Sequence, residues 1–481
     1  MSLFSHPART FSIRCTTFRV RRSPPAPYRF SGGRLFGLLA CSLLIGCETV
    51  REARRVQASP ASLHGEVTAT AANSGLLGPD RSYTLSQLEP VALTNHPALF
   101  QARQARTEAR LQITQIRASL WPQSSAAAAY RRATQNTGAD DSSLTMRGSW
   151  SASVGLDLLV YDFGRLRARE RQAIEALIAA EAQCRETELE VLYAIRAAFF
   201  EYHRSRELVR VAAESERQYA QHLEEARVMT EVGTRRQYDV TKAEVDWGNA
   251  RLDIITASNA LVTARAQLNR ALGLAEQTAF GVGHGAMVPA DAPADELMRH
   301  ARNNNPMLAV LHARSRAASA YVDQTIAELY PELSLGVNAE GAGRGFPWIG
   351  NLSWGLNAVQ NLFDGHRKTA RIEEAVARFR TARSQVAAAE QELYRDLVDA
   401  LSQRASAIKR LEIANLVRRQ TEENLLIVNE QYRVGLSSSI ERTDAQVAVT
   451  QAGADEVRAR YDNEIASALI ARLLGETGVS R

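Results

Sequence analysis

Only four of the 481 residues are cysteine, Cys15, Cys41, Cys47 and Cys184. At these spacings they frame neither a disulfide scaffold nor a metal cluster. Glycine and proline are absent from two long stretches, residues 165–232 and 366–434, so nothing there breaks a helix. Acidic residues are absent from residues 1–46, which carry seven arginines: Arg9, Arg14, Arg19, Arg21, Arg22, Arg29 and Arg34. Without that end the formal net charge of +5 becomes 5 − 7 = −2. The basic pI therefore gives no reason to expect a nucleic-acid partner. Catalytic motifs are missing too. The nine histidines are scattered, with no HExxH pair, Walker sequence or Gly-x-Ser-x-Gly elbow. His96 beside Pro97 and His366 beside Gly365 read as turn residues, not ligands. We expect no enzyme, no cofactor and no metal.

The basic N-terminal end is followed by the apolar run LFGLLACSLLIG, residues 35–46. Twelve residues cannot span a bilayer as a helix, which takes about 20. A basic flank, a short apolar run and then small residues form a secretory signal pattern. The run ends in Leu44-Ile45-Gly46-Cys47, which resembles a bacterial lipobox, with Cys47 as the lipidated mature N-terminus. Leu38-Leu39-Ala40-Cys41 competes but leaves an apolar core of only six residues. A plain secretory signal with an incidental cysteine is the other alternative. Cys184, among helix formers, reads as a small buried apolar residue.

The body of the chain is written twice. Matching Thr94–Ala109 to Asn303–Ala318 sets Pro97 on Pro306, an offset of 306 − 97 = 209, which also lays Trp121-Pro122 on Tyr330-Pro331. Beyond this the offset is 202, matching Asp162 to Asp364, Gly233 to Gly435 and Gly273 to Gly475. A seven-residue difference is thus confined between Pro122 and Asp162. Internal repeats of this kind govern the fold. The expected organisation is a signal peptide 1–46, a lipidated linker 47–80, repeat one 81–274, a linker 275–289 and repeat two 290–481.

Each repeat has the same parts. A helix at about 97–120 and 306–329 stops at the aromatic-Pro pair. A period-two region follows: Leu144, Met146, Trp150, Val154, Leu156 and Leu158 alternate with polar or small residues, as do Leu352, Trp354 and Leu356. Alternation predicts strands, with links TQNTGADDSS and EGAGRGFPWIG whose glycines suit hairpins better than a phosphate loop. The stretch from Asp162 to Gly233 is as long as that from Asp364 to Gly435, since both pairs keep the one offset. At about 1.5 Å of rise per residue each is a helix of roughly 100 Å. After the glycine a further helix returns to LNRALGL and IARLLGE.

Apolar-faced strands of about 8–10 residues suit a membrane β-barrel; a small soluble sheet packed on helices is the alternative. Two strands per repeat make four per chain, too few to close a barrel, and open edges are not tolerated in lipid. The expected fold is therefore mainly α with transmembrane β, closed by oligomerisation. Two chains supply eight strands and three supply twelve, and an eight-strand barrel is filled by its own side chains.

The duplicated layout, the LLVYDFGR and NLFDGHR junctions and the Val-Gly turns resemble the TolC-like outer-membrane efflux proteins over about residues 81–476. That resemblance implies a homotrimer with a twelve-strand barrel in the outer membrane and an α-helical barrel across the periplasm. It implies partnership with a periplasmic adaptor and an inner-membrane pump. The lipobox resembles the OprM/NodT-like lipoprotein branch, and YDFGR also occurs in type I protein secretion channels, so both branches stay open. A non-conducting lipoprotein scaffold of coiled coils is the alternative of another class.

Carried over by motif, the adaptor-docking tips are Val232, Gly233 and Thr234, and Val434, Gly435, Leu436 and Ser437. The periplasmic gate is Asp239, Tyr432, Glu441 and Asp444. Glu441 and Asp444 lie six and nine residues past Gly435, one turn apart on a helix face. The first repeat has Asp239 and Lys242 there, which would mix the signs. Ser437 stands where TolC has a latching arginine, which puts that latch in doubt.

Overall fold

A computed structural model describes residues 49–51, 53–54, 78, 81–135, 145–274, 278–287, 292–343 and 349–477. The chain divides into two units, Met1–Glu66 and Val67–Arg481. In the first, the described residues are helical; the signal segment and Cys47 lie outside the described residues.

The second unit runs β1 (Ser82–Tyr83), α1 (Leu85–Asn95), α2 (Pro97–Ala118), β2 (Gln123–Gln135), β3 (Thr145–Tyr161), α3 (Arg165–Glu231) and α4 (Gln237–Ala271). It continues with β4 (Gly281–Val282), α5 (Ala294–Asn304), α6 (Pro306–Ala327), β5 (Glu332–Gly343), β6 (Ile349–Val359), α7 (Arg367–Arg433) and α8 (Ser439–Leu473). The duplication is literal in backbone terms. Helix lengths of 11, 22, 67 and 35 residues occur in the same order in both repeats. α3 and α7 are each about 100 Å long.

Each repeat also begins with a short helix that the sequence reading did not foresee, α1 and α5. α1 carries Pro90 internally, a residue that ordinarily argues against a helix interior. The structure further pairs β1 with β4 in parallel, so the linker between the repeats returns to the start of the first. Arg265 and Asn269 donate to the carbonyls of Phe280 and Thr278, His203 meets the Gly283 carbonyl at 2.8 Å, and Glu464 accepts from the Met287 amide. Four side chains thus fasten that linker.

Two apolar cores sit at this level, and their members correspond. Ile195 and Leu397 are both fully buried, as are Ala92 and Ala301, Leu272 and Leu474, and Leu268 and Ile470. The first core adds Phe199, Phe200, Phe280 and Val282. At roughly 1.5–3 kcal/mol per buried large side chain, these two cores make the waist strongly packed.

The remaining strands form one antiparallel sheet in the order β2-β3-β5-β6. Its register sets Gln123 opposite Asp157, Leu158 opposite Leu335, and Val337 opposite Trp354. The strands of the first hairpin, 13 and 17 residues, are together seven longer than those of the second, 12 and 11. The first repeat's link is four residues longer and its strand-to-aspartate junction four shorter, so the difference in strand length equals the net change of offset from 209 to 202. Among the described residues no helix packs across either face of the sheet. The apolar face is bare in the protomer, with Trp354 78%, Leu352 74% and Leu356 63% exposed.

Each strand-to-helix junction is built by an aspartate. Asp162 accepts from the amides of Gly164 at 3.1 Å and Leu166 at 2.6 Å, and Asp364 accepts from that of Lys368 at 3.2 Å. Two consecutive residues just after it take positive φ in both repeats, Phe163-Gly164 and Gly365-His366. His366 is therefore a turn residue, as its place beside glycine suggested.

Candidate functional site

Two features of the geometry bear on function, the sheet and the helical turns farthest from it. The sheet carries two aromatic belts. At one level Tyr130 and Trp150 pack with ring centroids 4.6 Å apart. At the other Tyr161 meets Phe163 edge-on and Phe163 stacks on Tyr330, and Phe363 is 83% exposed. Trp150 and Tyr161 lie on the same strand, β3, one in each belt. At about 3.3 Å per residue and a tilt near 40°, the span 150–161 rises roughly 28 Å, close to the ~25 Å apolar band of an outer-membrane barrel. No helix among the described residues is long and apolar enough to cross a membrane. The outer strands β2 and β6 each have only one partner, leaving unpaired backbone groups along two edges.

At the far ends of the long helices, Gly233 and Gly435 adopt φ of +80° and +78°, the left-handed conformation that glycine takes without steric cost. The amides of Thr234 and Leu436 then fold back onto the Met229 and Gln431 carbonyls, at 2.9 and 2.8 Å. This is the Schellman closure of a helix end. Val232 and Val434 are 73% and 69% exposed and Leu436 81%. Thr234 is exposed too, its hydroxyl bonded to the Met229 carbonyl. Ser437 differs from the other tip residues: it is only 5% exposed and donates to Glu441 at 2.5 Å.

The four residues expected at the gate occupy three kinds of environment. Glu441 is exposed and closes the N-terminus of α8 in a capping box with Ser438. The hydrogen bond from Ser437, then that from the Ser438 amide, holds its carboxyl below the usual range. Asp239 occupies the corresponding position on α4 and accepts from the Arg236 amide at 3.4 Å. Asp444 is exposed. Its charge, after burial and the charges of Asp246 and Asp253, pushes the Tyr219 hydroxyl up to about 12. Tyr432 is fully buried, and burial raises its hydroxyl.

Sequence reading missed what surrounds Tyr432. Arg235 lies over its ring at 4.2 Å and Arg442 at 5.0 Å. Arg442 Nη1 donates to Glu225 at 2.6 Å and to His222 Nδ1 at 2.8 Å. Arginine has no acceptor, so His222 is held as the neutral tautomer with its proton on Nε2. Burial, then the charge of Arg442, drives its pKa down to about 4. Lys242 pairs with Asp246 at 3.1 Å, and Thr443 donates to the same carboxylate at 3.0 Å. Lys242 is thus committed to a neighbour. One signal was available: 437 − 202 = 235, so the arginine absent at Ser437 stands at the equivalent turn of the first repeat.

A bare apolar sheet between aromatic belts, with two hundred-ångström hairpins projecting from it, defines a membrane-embedded β protein with a long helical extension. The chain belongs to the outer membrane efflux protein family, whose sequence profile matches residues 88–274 and 297–476. It is 24% identical over 380 residues to the toluene efflux pump outer membrane protein TtgC of Pseudomonas putida, covering 75% of this chain and 76% of that one. The antibiotic efflux pump outer membrane protein ArpC of Pseudomonas putida is similar to the same degree. Among solved structures, the CmeC outer membrane channel of Campylobacter jejuni superposes with a TM-score of 0.74 at 14% identity, covering 81% of this chain and 85% of that one. VceC of Vibrio cholerae does so at 0.72 and 17%, covering 82% and 96%. These likenesses show the fold.

Proposed function

We propose that this chain forms the outer-membrane duct of a tripartite exporter, a passive path for small molecules across the periplasm and outer membrane. The observation that carries it is the four-stranded sheet with a bare apolar face and two unpaired edges. Such a sheet is stable in hydrocarbon only when closed. Three chains give twelve strands, wide enough to leave a lumen, and their long helices continue the lumen as a tunnel. Cys47 is the expected lipid attachment point.

The turns at Val232–Thr234 and Val434–Leu436, with exposed apolar side chains, are the docking edge for a periplasmic adaptor that links the duct to an inner-membrane pump. Asp239, Tyr432, Glu441 and Asp444 form the gate beside them. Threefold repetition would gather the carboxylates into a cation-attracting narrowing. Small-molecule efflux is preferred to protein secretion because the named relatives are a toluene and an antibiotic efflux protein.

The test is heat-modifiable migration of the purified protein as a trimer, followed by single-channel current in planar bilayers. A trimer with step-like current supports the duct. A folded trimer that never conducts, even with Glu441 and Asp444 both changed to Ala, leaves the lipoprotein scaffold as the better reading. Cys47→Ser is expected to abolish acyl labelling; label persisting in that variant assigns lipidation elsewhere.

A further inference from the structure

A charged cavity lies where the sheet meets the long helices. It has a volume of about 480 Å³ and is walled by Arg165 of α3, Glu328 at the end of α6, Glu332 of β5, and Arg367, Lys368 and Arg371 of α7. The register sets Glu332 opposite Val359 and Ser334 opposite Asn357, both on the polar face of the sheet. Ser334 and Val359 also line the cavity. It therefore opens on the polar face, away from the bare apolar one.

Four cations meet two carboxylates there, 4 − 2 = +2 per chain. Arg165 pairs with Glu332, and Arg371 with Glu328 at 3.2 Å. The side chains of Arg367 and Lys368 have neither a hydrogen-bond partner nor an ion pair among the described residues. Asp364, the acid just before them, accepts from the Lys368 amide at 3.2 Å, and the first turn of α7 holds no acid. A helix start favours negative charge, so two side-chain cations there oppose the backbone dipole and one another. The fold does not require them. By the offset of 202, Lys368 answers to Leu166 in the first repeat, which is buried.

We propose that this cavity binds an anionic group, a carboxylate, phosphate or sulfonate, carried by a small molecule in transit through the duct. Arg367 and Lys368 supply the unmatched charge. Arginine forks match the oxygens of such groups, and the cavity has the size of a small-molecule site. Three chains would set 3 × 2 = 6 net positive charges around one level of the lumen, where low-dielectric walls focus the field. The site rests on the reading of the polar face as a lumen, and it adds a substrate class to that reading: solutes that carry negative charge.

The test is binding of pyranine, a fluorescent pyrene trisulfonate, to the trimer in neutral detergent at low salt, followed by fluorescence anisotropy. Arg367→Gln with Lys368→Gln is expected to weaken binding about tenfold, equivalent to roughly 1.4 kcal/mol. Lys409→Gln with Arg410→Gln removes the same two charges from exposed positions further along α7. That pair is expected to stay within about twofold of the parent, since screened distant charges matter little. Glu328→Gln with Glu332→Gln frees Arg371 and Arg165 and is expected to tighten binding severalfold. A merely structural role for the cations would not produce that gain, and this variant carries the test if the first does not assemble. A parent that does not bind the dye, or equal loss from the two cation-to-glutamine pairs, overturns the site. Current in planar bilayers separates site from duct. A trimer that conducts while Arg367→Gln with Lys368→Gln leaves dye binding unchanged loses the site alone. One that binds the dye through these residues but never conducts overturns the duct, and the transit with it, and leaves the anion site standing.

Discussion

In the first repeat Arg196 is sealed against Glu89 at 2.8 Å, the two side chains 2% and 7% exposed. The equivalent residues of the second repeat, by the offsets 202 and 209, are Val398 and Met298. Met298 packs on the second apolar core, while Val398 is 44% exposed. The same backbone therefore carries a buried ion pair in one repeat and two apolar residues, one of them exposed, in the other. The turns repeat the lesson: Arg235 answers to Ser437, Lys242 to Asp444 and His222 to Asn424, at positions where helix ends and glycine φ values coincide. In the proposed trimeric duct, helix length and turn geometry must agree for six hairpins to line one tunnel. Side chains between those fixed points were free to diverge, and the first repeat has taken most of the buried charge.

The largest expected effect removes one side of the ion pair. Arg196→Ala strands the Glu89 carboxylate beneath the waist, which costs about 3–5 kcal/mol when a buried pair is broken. Changing both residues to their counterparts, Glu89→Met with Arg196→Val, is expected to recover most of that loss, since apolar replacements of buried pairs are often neutral. Chemical unfolding of the purified protein measures both. A single variant as stable as the parent, or a double variant no better than the single, would break the proposed equivalence of the two waists.

Next in size is a pH effect confined to the first repeat. His222 titrates at about 4 in the folded chain and near 6.5 when unfolded. Above pH 6.5 it is neutral in both states and contributes no pH dependence. As pH falls from 6.5 towards 4 the unfolded chain takes up the proton first, so stability is lost across that window and levels off below it. The full loss is on the order of 3 kcal/mol. His222→Gln is expected to flatten the stability profile between pH 6.5 and 4 relative to the parent. Asn424→Gln, at the equivalent place in the second repeat, should leave the slope unchanged.

How far the sequence foretold this structure depends on the distance over which each feature is encoded. The long helices were legible because so long a stretch without glycine or proline admits little else, and the turns because Gly233 and Gly435 keep one offset. The strands were legible where Trp150, Val154 and Leu156 alternate with polar residues; in β2 the alanines hid the alternation. The helices α1 and α5 escaped notice because so short a helix gives little periodicity and Pro90 argued against the first. Tyr432, Glu441 and Asp444, proposed for the gate, were reached by counting from Gly435. The hydrogen bond from Arg235 to the Tyr432 carbonyl and the His222–Arg442–Glu225 chain could not be, because they join residues 197 to 220 positions apart. That Glu441 serves a helix cap was legible in Ser438-Ser439-Ile440-Glu441, a capping-box pattern that counting from Gly435 passed over.

A smaller effect separates waist from tip within each repeat. An alanine Cβ at Gly435 would meet nothing within 4 Å, whereas at Gly475 it would lie 2.5 Å from the Asn304 carbonyl oxygen. Both glycines have positive φ, so either change to Ala incurs about 1–2 kcal/mol for the left-handed backbone. Gly475→Ala adds overpacking against fixed backbone, worth at least about 1 kcal/mol more. Equal destabilisation of the two variants would mean that the waist yields as easily as the tip.

The smallest expected effect is a gain. α8 begins at Ser438, whose hydroxyl accepts from the Glu441 amide at 3.2 Å. α4 begins at Arg236, which supplies no side-chain cap although Asp239 already reaches back to its amide. The first repeat thus holds half of a capping box that the second completes. Arg236→Ser would complete it, adding roughly 0.5–1 kcal/mol, while Ser438→Ala should cost the second repeat a similar amount. Hydrogen exchange at the first turns of α4 and α8 reads this directly. Slower exchange in α4 for Arg236→Ser, with α8 unaffected, would show that the tips differ at their starts by one side-chain oxygen. Unchanged exchange would mean that the α4 start is held by Arg235 and Tyr432 more than by its own cap.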